Sequence, residues 1–397
     1  MNSSQAAPAP GSQASLRESN RLRVLDALRL QGAMTQVEIA GQTGLSPATV
    51  SNMVKELDAS GVVELAPSIR NGRRAVLVSL ATGNTLLAGI AFGDRDVRVA
   101  VGSGPRDIVG SQRLPLPPDH HADEGMERAA RLVYDLLEKA GKTMSDIKAM
   151  CVGLPAPVDS VSGQVGSEGI LPGWRGVAVA KEMEGHLRAP VVLDNTANLA
   201  ALGELKCGAL QGVQHGVYIK VSYGVGAGLI LGGELFRGGA GTAGEIGHLT
   251  IDENGPVCRC GNRGCLETFI GSHALRDALA TSHGALGLRD IIARALDGDP
   301  GCRRVLADAG RHLGVAVAGL VNLVNPEVIV VGGQLAKVGP ILTDPMLASL
   351  ERCAIPSAAA TVSMRVGELD ANADIVGALA VAEAVHAASE GLMVASA

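Results

Sequence analysis

The chain has 397 residues, 47% of them hydrophobic but only 2% aromatic, and a formal net charge of −6. That length calls for two or three domains with aliphatic cores, and the acidic balance excludes a protein coated throughout for nucleic acid. No apolar run approaches the ~20 residues of a membrane span, and MNSSQAAPAPGSQAS lacks the basic-then-apolar order of a secretory signal.

Residues 1–15 therefore read as a disordered leader, and the protein as cytoplasmic with no membrane partner. Seven cysteines, an odd number, fit a reducing compartment. Cys151, Cys207, Cys302 and Cys353 read as small buried apolar side chains.

A first helix is predicted over Leu16–Gln31, with Val24, Leu25 and Leu28 on one face. Thr35-Gln-Val-Glu38 is a capping box that starts a short second helix, which Gly44 ends. Ser46-Pro47 caps and starts a third. In it Val50, Met53, Val54 and Leu57 form a buried stripe at i, i+3, i+4, i+7. Val62–Leu65 and Ala75–Leu80 read as two strands around an Asn71-Gly72 turn.

Three helices and a hairpin make a winged helix-turn-helix over 16–82. The third helix suits a major groove. Ser46, Thr49, Ser51 and Asn52 are short polar groups for base edges and phosphates, while Lys55, Arg70, Arg73 and Arg74 would neutralise phosphates. From Leu16 to Leu80 there are eight Lys/Arg against six Asp/Glu, about +2, which leaves about −8 elsewhere. Operator DNA is the expected partner.

Beyond residue 83 the pattern alternates strand, glycine turn and helix, as α/β folds do. Leu87–Val101 reads as a strand and its return, Ala149–Val158 as a strand into a proline turn, and Pro190–Asp194 as a strand followed by a helix through Leu205. Val217–Leu231 reads as two strands with Gly224–Gly228 between them. A helix over Leu313–Leu323 then leads to the strand Val328–Val331 and Gly332-Gly333. Duplicated α/β lobes with a ligand cleft between them suit this order.

The stretch GEIGHLTIDENGPVCRCGNRGCLE, Gly244–Glu267, concentrates the chemistry. His248, Cys258, Cys260 and Cys265 are the donor set of a closed tetrahedral structural Zn2+ site. Gly261 and Gly264 let the backbone fold back so that Cys265 reaches the same ion.

GEIGH followed, ten residues after its His, by CxCGxxGCxE resembles the signature of the ROK family (repressors, open reading frames and sugar kinases). The resemblance implies an actin, Hsp70 and sugar-kinase-like (ribonuclease H-like) fold over 83–397, and a zinc loop that also reads sugar hydroxyls. On that reading lobe 1 is about 83–200 plus the C-terminal helix, and lobe 2 about 201–380. Glu245, His248 and Glu267 would then contact sugar, with His248 serving metal and sugar through its two ring nitrogens. Aligned on the family's ENDANAAALGE, Asn195 and Asn198 also fall on sugar contacts. TVSNMVKELDASGVVE resembles the recognition helix of the family's repressor branch.

The resemblance fails at the phosphate side. The family's GIDIGGT loop reads Gly89-Ile90-Ala91-Phe92-Gly93-Asp94-Arg95, so its Asp is Ala91 and its Gly-Thr is Asp94-Arg95. The family's general base falls on Thr196, whose hydroxyl is too weak a base. Asp194 lies two residues away and is expected to point elsewhere. Ile170 replaces an Asn that the family often carries.

The expected function is a sugar-responsive DNA-binding transcriptional regulator, a repressor of carbohydrate genes, with no catalytic residues and no enzyme activity. Its effector would be a small carbohydrate or sugar phosphate, and its assembly a homodimer or homotetramer. The alternatives are an active ATP-dependent sugar kinase carrying a DNA-binding arm, and a constitutive regulator with a vestigial sugar site.

Overall fold

The computed structural model describes residues 13–70, 73–80, 85–117, 120–159, 165 and 171–390. The chain divides into two compact units: one runs to Thr85 and takes in the residues from Ala387, and the other is Leu86–His386.

The first unit orders α1 (Gln13–Gln31), β1 (Met34–Thr35), α2 (Gln36–Thr43), α3 (Pro47–Ala59), β2 (Val63–Arg70) and β3 (Arg73–Leu80). Thr35 closes the expected capping box with Glu38, and Gly44 ends α2 in the left-handed region. Ser46 caps α3 by accepting from Thr49 N, with Pro47 in the first turn. Val50, Met53, Val54 and Leu57 are buried against Val24, Leu25, Leu28 and Ile39. The helix α1 begins at Gln13, earlier than the expected Leu16. The remainder of the expected leader, residues 1–12, lies outside the described residues, as does the Asn71-Gly72 turn.

Both wing strands are longer than the sequence suggests, pairing antiparallel from Val63–Leu80 to Arg70–Arg73. The two-residue β1, too short for any periodicity, adds a third strand against β3.

The second unit begins with β4 (Leu86–Phe92), β5 (Asp96–Gly104), β6 (Asp107–Pro115), α4 (Ala122–Lys139), β7 (Ile147–Leu154), α5 (Val179–Leu187) and β8 (Val191–Asn195). Then come α6 (Thr196–Cys207), β9 (His215–Val221), β10 (Val225–Leu231), β11 (Glu234–Phe236), α7 (Glu267–Ile270), α8 (Ser272–His283), α9 (Leu288–Leu296) and α10 (Pro300–Val324). The chain continues with β12 (Val328–Gly332), α11 (Pro340–Cys353), α12 (Pro356–Ala359), β13 (Ser363–Val366) and α13 (Ala373–Ser389).

The two five-stranded sheets have the same plan. One is ordered β6-β5-β4-β7-β8 and the other β11-β10-β9-β12-β13. In each, the first three strands form an antiparallel meander and the last two run parallel to the first. This is one lobe made twice. The inner parallel strands β4, β7 and β12 are apolar along nearly their whole length because both faces are covered, whereas the edge strand β13 is largely exposed. In lobe 1, α4 and α5 cover one face, and α6 and α13 cover the other. In lobe 2, β9 and β12 pack against α8, α9, α10 and α11.

The glycines at Gly224–Gly228 were expected to form the turn between two strands, and the structure corrects this. The turn is Ser222–Gly224, and Gly226 and Gly228 lie inside β10. A Cβ on Gly228 would come 2.4 Å from the Cβ of Ala201 and 2.8 Å from the carbonyl of Ala197. These residues are glycine because α6 lies directly on the strand.

Candidate functional site

A cavity of about 480 Å³ opens between the two lobes, and Asn195, Thr196, Glu245, His248 and Glu267 line it together with Asp94. Lobe 1 contributes the end of β8 and the start of α6. Lobe 2 contributes the segment from β11 to α7.

Asn195 caps α6, its Oδ1 accepting from Ala197 N at 2.7 Å. Its Nδ2 donates to Ala156 O at 3.1 Å and, across the cleft, to Glu245 Oε1 at 3.0 Å. Asp194 is buried, and Asn195 N and Asn198 Nδ2 donate to its Oδ1. Arg237, after β11, spans from lobe 2 and donates to its Oδ2 through Nε at 2.9 Å and Nη2 at 2.8 Å. Both oxygens of this carboxylate therefore accept hydrogen bonds, and its ion-pair partner is Arg237. Thr196, the first residue of α6, is buried in the cavity wall.

Asn198 is 1% exposed, its Nδ2 donates to Asp194 Oδ1, and it is not among the residues that line the cavity.

Glu267 starts α7, and Arg259 grips it in a paired contact, Nε to Oε1 at 2.7 Å and Nη2 to Oε2 at 3.2 Å. Burial, and then the neighbouring Glu267, push the Glu245 carboxyl up to about 7, against the opposing pull of Arg259. Burial also pushes the Asp94 carboxyl up, offset by Arg259 and Lys220. Arg95 reaches across the cleft to place its guanidinium 5.7 Å from the centre of the Tyr223 ring. A further ion pair spans the cleft from α13, where buried Asp374 holds Lys220 at 3.0 Å and Arg98 at 2.7 Å.

Arg237, Arg259 and Tyr223 were not singled out from the sequence. Arg259 is the unspecified position inside the Cys-x-Cys motif and Arg237 stands in a glycine-rich loop, so neither spacing nor periodicity marks them.

His248, Cys258, Cys260 and Cys265 converge, one donor atom from each lying within 4.8 Å of the others. His248 Nδ1 is 3.6 Å from Cys258 Sγ, and Cys260 Sγ is 3.7 Å from Cys265 Sγ. Burial lowers the His248 pKa, which keeps the imidazole in the neutral form a metal needs. Gly264 makes the loop possible: its φ is +63°, and a Cβ there would sit 1.5 Å from Asp252 O. Three thiols and a neutral imidazole form a group able to hold a metal ion.

In the first unit, Asn52 and Lys55 are exposed on α3, and Thr49 and Ser51 are partly so. The Ser46 hydroxyl serves the helix cap and lies 2.8 Å from Thr49 Oγ1, so these two form a pair. Arg70, Arg73 and Arg74 lie at the facing ends of β2 and β3; their side chains are outside the described residues, as is Ile170.

The model of the ROK family matches residues 87–385, and a winged helix-turn-helix DNA-binding model matches residues 17–64. The chain belongs to the ROK family. Its N-terminal unit is a winged helix-turn-helix, and its larger unit has the sugar-kinase-like fold of that family. A xylose repressor of Caldicellulosiruptor bescii is 29% identical over 391 residues, covering 93% of this chain and 96% of the relative. A glucokinase of Halalkalibacterium halodurans is 30% identical over 310 residues, covering 73% of this chain and 92% of the enzyme. The crystal structure of a ROK family transcriptional regulator, described as a homolog of the E. coli MLC protein, aligns with a TM-score of 0.76 at 26% identity. That alignment covers 95% of this chain and 98% of the regulator. Among the described residues no helix is long and apolar enough to cross a membrane.

Proposed function

We propose that this ROK protein is a sugar-responsive DNA-binding transcriptional regulator, acting as a repressor of carbohydrate genes. The observation that carries the reading is the contrast between the two ends of one cleft. At the sugar end, Asn195, Glu245, His248 and Glu267 line one cavity. At the phosphate end, Asp94 and Arg95 occupy the loop that would have to admit phosphates, and Asp194, the acid nearest Thr196, is held by Arg237. Full-length similarity to a xylose repressor supports the same reading.

In this account α3 reads the operator through Thr49, Ser51 and Asn52, with Lys55 and the wing arginines on phosphates. A carbohydrate or sugar phosphate shifts DNA affinity by binding two lobe arrangements unequally. Zn2+ is the ion we assign to His248, Cys258, Cys260 and Cys265, where it staples a loop with little apolar material of its own. A homodimer would match a two-fold operator.

A second reading, an ATP-dependent sugar kinase with a DNA-binding arm, is favoured by the similarity to a glucokinase. ATP turnover against hexoses, pentoses and amino sugars decides between them. The regulator reading expects none above a mock preparation. Turnover that disappears in Asn195→Ala would establish the kinase.

A further inference from the structure

Away from the cleft, the end of α8 meets the start of α10. The helix α8 delivers His283 in its last turn, and α10 starts from Asp299 with Cys302 in its first turn. One ring nitrogen of His283, a carboxylate oxygen of Asp299 and the Cys302 thiol lie within 4.8 Å of one another. His283 Nε2 is 3.0 Å from Asp299 Oδ2 and 3.1 Å from Oδ1. Cys302 is fully buried. A Cβ on Gly301 would come 2.6 Å from His283 Cε1, so the absence of that carbon is what lets the imidazole lie on the first turn of α10.

A helix cap by itself needs less than this. Asp299 Oδ1 accepts from Cys302 N at 2.8 Å, and that bond completes the cap. It needs neither a thiol beside the carboxylate nor an imidazole whose other nitrogen is also held. The second nitrogen, Nδ1, lies 2.7 Å from Ser282 Oγ, which itself can donate to Leu279 O at 3.3 Å. With the hydroxyl hydrogen on Leu279, the Ser282 oxygen accepts from Nδ1–H. In that tautomer Nε2 carries no hydrogen, and its lone pair, 3.0 Å from Asp299 Oδ2, is free to serve a metal ion that the carboxylate also holds. A partner that fixes the second ring nitrogen in this way is a regular feature of metal-bound histidines.

We propose that His283, Asp299 and Cys302 form a second metal site, separate from the four-donor cluster, that takes a borderline-soft divalent ion such as zinc and leaves a fourth position for water. Nitrogen, oxygen and sulfur donors together suit zinc or cobalt and not magnesium or calcium, which take oxygen. On binding, the Cys302 thiol gives up its proton to solvent. The imidazole keeps one hydrogen, on Nδ1, where Ser282 accepts it. The ion would join α8 to α10 on the outer layer of lobe 2.

The test is a titration of metal-free full-length protein with Co2+, counting bound equivalents and following thiolate-to-cobalt absorption. The wild type should bind two equivalents. His283→Gln and Cys302→Ser should each bind one. Asp299→Asn should also lose an equivalent while keeping its fold, because Asn caps a helix as well as Asp does. Ser282→Ala should weaken the second equivalent by about tenfold or more. The four-donor cluster is read separately: Cys260→Ser should remove the other equivalent and leave this one. Equal stoichiometry in the wild type, His283→Gln and Cys302→Ser would overturn the proposal. So would a wild type whose single equivalent vanishes in Cys260→Ser.

Discussion

Glu245 carries the sharpest pH consequence at the scale of single residues. Its folded pKa of about 7 stands above the ~4.3 of a free glutamate. Between those values the folded chain holds a proton that the unfolded chain has lost. Stability from this group is therefore complete below about pH 4 and is lost as the pH rises through 7. Glu245→Gln should flatten the fall in thermal midpoint between about pH 4 and 7; an unchanged pH profile would mean that the carboxyl is not desolvated as described.

The thiol cluster gives a second residue-scale expectation. Cys260→Ser should release the metal and lower the midpoint by roughly 10 °C, since the ion's binding free energy is also folding free energy. Elemental analysis and calorimetry would read the two effects, and metal-free wild-type protein would refute the site. This cluster was legible in the sequence because its chemistry is local: four donors within eighteen positions, with glycines where the chain must reverse. Arg259 and Arg237 were not legible. Their roles depend on Glu267 and Asp194, to which only the folded chain brings them.

Among the elements, α3 was almost fully written in the sequence. A Ser-Pro start and a four-residue apolar stripe fix its ends and its buried face, which leaves Asn52 and Lys55 outward. Arg73→Ala should weaken DNA binding across all sequences and reduce the salt slope by about one, whereas Asn52→Ala should change preference among sites. Uniform loss in both variants, measured by competition binding at several salt concentrations, would displace α3 from the groove.

The segment from Arg237 to Glu245 forms a clasp, with one end on Asp194 and the other on Asn195. Arg237→Ala leaves a buried carboxylate without its cation. A fully buried pair would cost about 3–5 kcal/mol; with Arg237 39% exposed, about 2 kcal/mol is expected by chemical denaturation. A variant as stable as wild type would show that the clasp contributes little. The strand β1 and the true extent of β10 escaped the sequence for a related reason. Two residues carry no period, and the glycines of β10 answer to α6, not to a turn.

For the whole molecule, alternation of strands and helices announced an α/β fold, yet not that the second sheet repeats the plan of the first. The repeat lives in pairing order, β6-β5-β4-β7-β8 against β11-β10-β9-β12-β13, which composition does not encode. It sets the functional account: two like lobes enclose a cleft whose polar residues come from both, so a ligand there can bias their arrangement. The central claim is that occupancy of this cleft is reported to DNA by the winged helix. The most direct measurement is capture of genomic DNA by the purified full-length protein, with and without each sugar of a panel of pentoses, hexoses, amino sugars and their phosphates. The account predicts a small set of enriched sites sharing one two-fold sequence, released by one carbohydrate and by none of its neighbours. Enrichment of no site, or sites retained equally under every sugar at millimolar concentration, would contradict it.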